Sequence, residues 1–448
     1  MPVSAAALFD WHARPGAFER LTPGWQPTRV LSRTGGITDG SRVEVQVPVC
    51  GGLLSQRLLM EHRNYVAGSS FTDVQIQGPF ARWEHVHTME PASDGTSVLV
   101  DRIDYELPMG VLGETAAGWY VERQLEQLFD FRHARTRADL LRHQQFAEQP
   151  RRTVAITGGT GMIGSALTAF LRTGGHTVRW ITRRPDASRG DIGWNSDTRT
   201  LNPADLDGVD AVFHLAGANV GERWTISHKR AIIDSRMFGT RTVVSALLQM
   251  AKPPEVLISA SAVGYYGDTG ASLLDESAPK GSGFLADVCE RWEAETTPAA
   301  AAGVRVAIAR TGVVLAATGG ALAQMLPPFR LGLGGPLGSG EQWMSWISLD
   351  DEVGAIHDLI MHPDASGIFN LTAPAPVPNR EFVHTLGDVL NRPAIFPVPG
   401  FVLSALFGEM AQATILDGQR VRPARLEEAG YTFSHPTLDA ALRFELGR

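Results

Sequence analysis

The residues most able to do chemistry stand in a glycine-spaced turn, Thr157-Gly158-Gly159-Thr160-Gly161-Met162-Ile163-Gly164, which follows a short apolar run and opens a stretch of helical pattern. Gly158 permits a tight turn, Gly161 lets backbone approach a pyrophosphate, and Gly164 allows a helix to pack closely on a strand. A helix beginning there offers unpaired N–H groups and the positive end of its dipole to phosphate oxygens. With a strand before the turn and another after the helix, the pattern predicts a dinucleotide site at Gly158, Thr160, Gly161, Met162, Ile163 and Gly164. The choice of dinucleotide is made at the end of the second strand, where an acidic residue would take a ribose 2′-hydroxyl. Here the sequence reads Thr182-Arg183-Arg184-Pro185. A guanidinium binds a 2′-phosphate through paired charge-assisted hydrogen bonds, so NADP(H) is favoured over NAD(H).

The elements that must position this turn can be read from the apolar rhythm. Val154–Thr157, Val178–Ile181, Ala211–Leu215, Val256–Ala260 and Val304–Ala309 are short apolar runs separated by helical stretches. That alternation predicts a Rossmann-type α/β domain, a doubly wound parallel sheet with helices on both faces, over residues 151–372. Residues 1–150 read differently. Val43–Val47, Arg57–Val66, Phe71–Gln77, Arg82–Met89 and Ser97–Leu107 are strand-like, and Ala117–Leu141 carries Val121, Leu125, Leu128 and Phe129 on one helical face. An antiparallel meander closed by a long helix is an α+β arrangement. Gln149-Pro150-Arg151-Arg152 reads as a linker, and the Pro-rich stretch from Ala373 opens a small, mainly helical segment, 373–448, with helices around Glu381–Leu390 and Phe401–Met410.

Other segments resemble extended short-chain dehydrogenases/reductases. His214-Leu215-Ala216-Gly217 resembles the post-strand segment that lines the cofactor, adding Leu215, Ala216 and Gly217 to the expected site. Ser259-Ala260-Ser261-Ala262-Val263-Gly264-Tyr265-Tyr266-Gly267 resembles the Ser-Ser-x-x-Val-Tyr-Gly strand end of sugar-nucleotide epimerases, and Met344–Asp351 their Arg-Asp-Phe-Ile-His-Val-Asp-Asp segment. Asn219-Val220-Gly221-Glu222-Arg223-Trp224, Ser235-Arg236, Phe284-Leu285-Ala286, Trp292-Glu293 and Gly340-Glu341-Gln342 are similar to the YfcH-like branch of NAD-dependent epimerase/dehydratases. The tail from Pro397 through Gly408-Glu409-Met410 and Gly418-Gln419-Arg420-Val421 to Gly430-Tyr431 resembles that branch's own C-terminal domain. Trp11-His12-Ala13-Arg14-Pro15-Gly16-Ala17-Phe18 and Gly78-Pro79-Phe80-Ala81-Arg82-Trp83 resemble the fused START-like (SRPBCC) helix-grip domain of longer members. That resemblance implies a hydrophobic ligand in a cavity beneath the helix 117–141.

The resemblance also exposes a departure. Short-chain dehydrogenases use Tyr-x-x-x-Lys, in which the Lys and the cofactor make the Tyr an acid/base group. Counting back from Trp292-Glu293 puts those positions at about Leu285 and Cys289, and neither can do the job. Ser261 stands where a substrate-polarising hydroxyl belongs, with Ser259 open as an alternative, and Tyr265 or Tyr266 is the expected replacement acid. Arg236 could hold an anionic substrate or make a surface salt bridge. The Arg with which sugar-nucleotide epimerases clamp a diphosphate is Met344 here, and a thioether donates no hydrogen bond to phosphate. The expected substrate is therefore a small, non-nucleotide molecule, in a pocket that Gln342, Trp343 and Trp346 make flatter and partly aromatic. Two readings follow: an NADP(H)-dependent oxidoreductase or epimerase, and an NADP(H)-binding sensor with weak or no catalysis.

Composition narrows the field. A formal charge of −8 gives no electrostatic reason to expect nucleic acid or an anionic membrane as partner. The longest apolar run, Phe401–Phe407, is too short to span a bilayer. Two cysteines, Cys50 and Cys289, exclude a disulfide scaffold, and a cytoplasmic location is expected. His85 and His87 lie two apart in a strand, face one side and could hold a metal. No third ligand stands out nearby in sequence, so a polar and aromatic wall with Trp83 is expected, and no metal.

Overall fold

In a computed structural model, which describes residues 1–49, 54–195 and 198–448, the chain divides into two units. One is built mainly from Met1–Pro150, the other from Arg151–Thr168 and His176–Leu446. Cys50 lies outside the described residues.

The first unit begins with α1 (Ala5–Ala13) and α2 (Ala17–Arg20). Six strands follow, β1 (Arg29–Thr34), β2 (Arg42–Val49), β3 (Leu54–Val66), β4 (Ser70–Gln77), β5 (Arg82–Pro91) and β6 (Ser97–Glu106), paired antiparallel in chain order. The helix α3 (Val111–Gln145) closes the meander and is longer at both ends than the expected 117–141. β1 was not legible from the sequence because all six of its residues are exposed, leaving no alternation to read. Along β5, His85, His87 and Met89 point inward in strict alternation. Leu8, Phe9, Trp11, Phe71, Met89 and Leu140 form the apolar core. The cleft under α3 is small. It holds about 10 Å³, room for about one water, and its walls combine Leu21, Leu99 and Phe129 with His12, His87, Asp101, Arg132 and His133.

In the second unit, β7 (Thr153–Thr157), α4 (Met162–Thr173), β8 (Thr177–Thr182), β9 (Ile192–Asn195), β10 (Thr200–Leu201) and β11 (Ala211–His214) form one half of the sheet. After α5 (Ile226–Leu248) come β12 (Val256–Ala262), β13 (Leu273–Leu274), α6 (Phe284–Ala294), α7 (Thr297–Ala301), β14 (Arg305–Thr311) and β15 (Val313–Leu315). The chain continues through α8 (Gly320–Arg330), β16 (Trp343–Met344), β17 (Trp346–Ser348), α9 (Leu349–Met361) and β18 (Gly367–Leu371). The sheet order is β10-β9-β8-β7-β11-β12-β14-β18, parallel except for the β10–β9 edge. β7 is flanked by β8 on one side and β11 on the other, so the strand order reverses between β7 and β11. In such a sheet the crevice for a ligand opens at that reversal, beyond the carboxyl ends of the strands. The strands are buried on both faces, which is why they read as continuous apolar runs.

The last segment holds β19 (Val377–Pro378), α10 (Asn379–Leu390), α11 (Gly400–Phe407) and α12 (Glu409–Ala411). The expected single helix 401–410 is broken at Gly408, which has φ 66. Phe382, Val383, Leu386 and Leu442 from this segment pack against Leu322, Phe329 and Trp346 in one core cluster. No described helix is long and apolar enough to cross a membrane.

Candidate active site

The glycine turn joins β7 to α4 at the strand reversal. Gly158 has φ +71, a conformation that L side chains avoid, and a Cβ there would lie 3.3 Å from the Ala216 nitrogen. A Cβ on Gly164 would meet the Gly158 carbonyl oxygen at 2.3 Å, so this position needs glycine for helix–strand packing. At Gly161 a Cβ would meet only the Gly158 oxygen, at 3.3 Å, and both Gly161 and Thr160 are exposed. A side chain at Gly161 would therefore project into the space where a pyrophosphate must approach. Met162 and Ile163 begin α4, whose first-turn N–H groups have no acceptor within the helix. These residues fit a dinucleotide. Arg183 and Arg184 follow β8, and both side chains are exposed.

Across the reversal, Thr157 Oγ1 accepts from the backbone N–H groups of Leu215 and Ala216, each at 3.0 Å, and contacts His214 Nδ1 at 2.9 Å. This ties the segment after β11 to the glycine turn. Burial, with the charge of Arg236 adding to it, pushes His214 down to about 4, so the imidazole is neutral. The Arg236 guanidinium donates to the carbonyls of Ala218 (3.1 Å) and Ile232 (3.2 Å) and lies over the Trp292 ring. It also abuts Gly217, where a Cβ would sit 3.1 Å from its Cζ. Its neighbours are carbonyls and an indole, so the structure gives it a half-buried position beside Gly217 in place of the alternative surface salt bridge.

The strand end that carries Ser261, Tyr265 and Tyr266 leads into a connected polar array. Ser261 Oγ donates to Glu293 Oε1 at 2.6 Å. Glu293 is held by both arms of Arg310, Nε to Oε1 at 2.8 Å and Nη2 to Oε2 at 2.7 Å. Arg310 Nη1 donates to the Tyr266 hydroxyl at 3.0 Å, and that hydroxyl donates to Asn370 Oδ1 at 2.8 Å. Tyr266 is 1 % exposed, and burial raises its pKa, so it is a structural link and not a free acid. Ser261 is 5 % exposed, with its proton committed to Glu293. Tyr265 is half-buried, its ring centroid 3.4 Å from the Arg310 guanidinium carbon, which fixes the ring without occupying its hydroxyl. Ser259 is buried within the sheet.

Glu293, Arg310 and Asn370 escaped sequence reasoning, although two signals pointed to them. Leu285, Cys289 and Glu293 are spaced i, i+4, i+8 on α6, so Glu293 continues the face that would carry Tyr-x-x-x-Lys by one turn. Arg310 is a charge directly after the apolar run Val304–Ala309, near the carboxyl end of β14, the side of such a sheet on which ligands bind. Cys289 contacts the Ala262 carbonyl at 3.7 Å, and burial, with Glu293 adding to it, pushes its thiol up to about 11.

Two expected pocket residues turn inward. Trp346 is fully buried in the core, with its indole N–H on the Ala375 carbonyl at 3.0 Å, because its strand β17 lies between β15 and the packed C-terminal segment. The Gln342 carboxamide donates to the carbonyls of Leu337 and Ile415 and so fastens loops together. Trp343 is the tryptophan that stays partly exposed, under the Arg420 guanidinium. Met344 contacts the Asn379 amide through its sulfur, so this position carries no cation.

The comparisons with known proteins agree with this layout. Residues 154–372 match the NAD dependent epimerase/dehydratase family. Residues 1–129 match a polyketide cyclase/dehydrase and lipid transport family, and 398–445 a domain of unknown function, DUF1731. An epimerase family protein of Mycobacterium bovis is 46% identical over 296 residues, which is 66% of this chain and 98% of that protein. The crystal structure of human epimerase family protein SDR39U1 with NADPH aligns at 35% identity and TM-score 0.61, over 66% of this chain and 99% of that one. A nucleoside-diphosphate sugar epimerase from Corynebacterium glutamicum aligns over 100% of this chain and 89% of its own, at 33% identity and TM-score 0.80. The chain therefore belongs to the NAD(P)-binding epimerase/dehydratase family of short-chain dehydrogenases/reductases, is SDR39U1-like, and joins an SRPBCC-type N-terminal domain to a C-terminal DUF1731 domain.

Proposed function

We propose that the protein is an NADP(H)-dependent oxidoreductase acting on a small, non-nucleotide carbonyl or alcohol that carries an anionic group. The observation that carries this reading is the polar array at the carboxyl ends of β12 and β14, beside the crevice at the strand reversal. Arg183 and Arg184 support the phosphorylated cofactor, since they follow β8 with exposed side chains and a guanidinium suits a 2′-phosphate. Met344 argues against a nucleotide diphosphate, because the position lacks the cation that would clamp it.

A nicotinamide bound in the crevice supplies or accepts the hydride. The residues of the chain then have separate duties. Arg236, beside Gly217, pairs with the anionic group of the substrate and orients it. Tyr265 gives its phenolic proton to the carbonyl oxygen on reduction and takes one back on oxidation. Arg310, fixed by Glu293, holds the Tyr265 ring in place. Ser261 steadies Glu293 through its hydroxyl proton. The segment 373–448 completes the substrate side.

The test is a screen of small aldehydes, ketones, quinones and keto acids followed through NADPH absorbance. Turnover of an anionic carbonyl compound is expected, with Tyr265→Phe lowering it by about 10²–10⁴-fold and leaving NADPH affinity unchanged. The commitment of both the Ser261 and Tyr266 hydroxyls favours a second reading, a sensor that binds NADP(H) without chemistry. Tight NADPH binding with no compound turned over would establish that reading in place of the first.

A further inference from the structure

In the N-terminal unit, four neighbouring strands place imidazoles and carboxylates at adjoining register positions. His62 on β3 is paired with Asp73 on β4, Asp73 with His85 on β5, and His87 on β5 with Asp101 on β6. The pleat sends alternate side chains to one face, so His85 and His87 project together. We propose that Asp73, His85 and His87 form a binding site for a divalent transition-metal ion of the zinc or iron(II) class.

The geometry fits this ligand set. One ligand atom from each of the three residues lies within 4.8 Å of the others. Asp73 Oδ2 is 3.1 Å from His87 Nε2 and 3.9 Å from His85 Nδ1. Metal–ligand bonds of about 2.0–2.2 Å in tetrahedral array put ligand atoms roughly 3.3 Å apart, so small side-chain rotations suffice. Two imidazoles and one carboxylate leave coordination positions open, a set that zinc and non-haem iron(II) both accept.

The surroundings fit as well. A metal-bound imidazole usually donates its other N–H to a carboxylate, which fixes its tautomer and direction. Asp101 Oδ1 does this for His85, 2.9 Å from its Nε2, and lies 2.7 Å from His87 Nδ1 without a well-directed hydrogen bond. Asp101 Oδ2 is itself held by His133 Nε2 at 2.6 Å. The remaining oxygen of Asp73 lies 2.6 Å from His62 Nδ1, yet neither atom makes a well-directed hydrogen bond. The inner nitrogens of His85 and His87 thus face Asp73, and the outer nitrogen of His85 is held by Asp101. Two carboxylates under a helix are costly to bury without a compensating charge. Arg132 lies near them and supplies one positive charge, while its Nε donates to the Leu21 carbonyl. A dication among Asp73, His85 and His87 would add positive charge beside the two carboxylates and take the place of the hydrogen bond between His87 and Asp73.

The experiment uses the full chain without an affinity tag, stripped of metal by a chelator and titrated with cobalt(II), then zinc(II). One equivalent of cobalt per chain is expected, with visible d–d absorption that zinc abolishes. Asp73→Asn and His85→Gln should each weaken binding more than about 10-fold, and Asp101→Asn, which leaves the ligands in place, by about 10–100-fold. Circular dichroism and the thermal unfolding of the full chain show whether each variant is folded. If the ligand variants do not fold, Asp101→Asn and the wild-type stoichiometry decide. No cobalt or zinc bound by the wild-type chain, or unchanged binding in every folded variant, overturns the site and leaves the cluster as a proton-linked network.

Discussion

Arg310→Met is the substitution that most sharply separates a structural array from incidental contacts. The Arg310 side chain is 1% exposed and that of Glu293 10%, and their two hydrogen bonds are side by side. Removing the guanidinium leaves a nearly buried carboxylate with the Ser261 hydroxyl at 2.6 Å as its remaining donor. Breaking a buried pair in this way costs about 3–5 kcal/mol, chiefly because the orphaned charge stays behind. For a domain of this size that lowers the melting temperature by on the order of 10 °C. Scanning calorimetry separates the second unit from the first. Adding Glu293→Gln to Arg310→Met removes the stranded charge and should return more than half of the loss, giving a coupling that a double-mutant cycle reads directly. A loss below about 1 kcal/mol for Arg310→Met, or a double variant less stable than the single, would refute the reasoning.

Three further outcomes follow from other positions. Glu352 in the first turn of α9 is fully buried, and burial pushes its carboxyl up to about 8, against the opposing hydrogen bond from Thr311. A raised acid pKa means that its stabilising contribution is complete below the unfolded pKa of 4.5 and is lost as pH rises to about 8. Unfolding free energy should therefore fall across that window, and Glu352→Gln should gain stability on wild type as pH rises, up to on the order of 5 kcal/mol at pH 8. Parallel pH profiles for the two proteins would count against it. Gly164→Ala, whose Cβ meets backbone at 2.3 Å, should destabilise the second unit by about 2 kcal/mol or more in thermal unfolding. Gly161→Ala, with its nearest contact at 3.3 Å, should melt like wild type yet bind NADPH at least about 10-fold more weakly by calorimetric titration.

The sequence made the second unit legible because buried parallel strands are continuous apolar runs, and because the glycine turn combines a positive φ with close approach. The order of the sheet, and hence the crevice between β7 and β11, was not read from the sequence and comes from the strand pairing. Where residues are exposed throughout, as in β1, no period existed to be read. The polar array was only half visible. Ser261 and the two tyrosines stood in one motif, but Glu293, Arg310 and Asn370 join them from α6, β14 and β18, across long sequence separations. Trp346 misled because an aromatic near a motif gives no sign of which face it takes. Its strand pairs with β15 and turns the ring into the core. The carboxylate that stands beside the histidines of β5, Asp73, lies on the neighbouring strand, where only cross-strand register brings it close.

The central claim is that the crevice at the strand reversal holds NADP(H), read through Arg183 and Arg184. Calorimetric titration of the full chain with NADPH and with NADH tests it directly. The account predicts tighter NADPH binding, and a double variant Arg183→Ala/Arg184→Ala that loses that advantage while its NADH affinity stays nearly unchanged. Equal affinity for the two cofactors in the wild type, or equal losses for both in the variant, would contradict it.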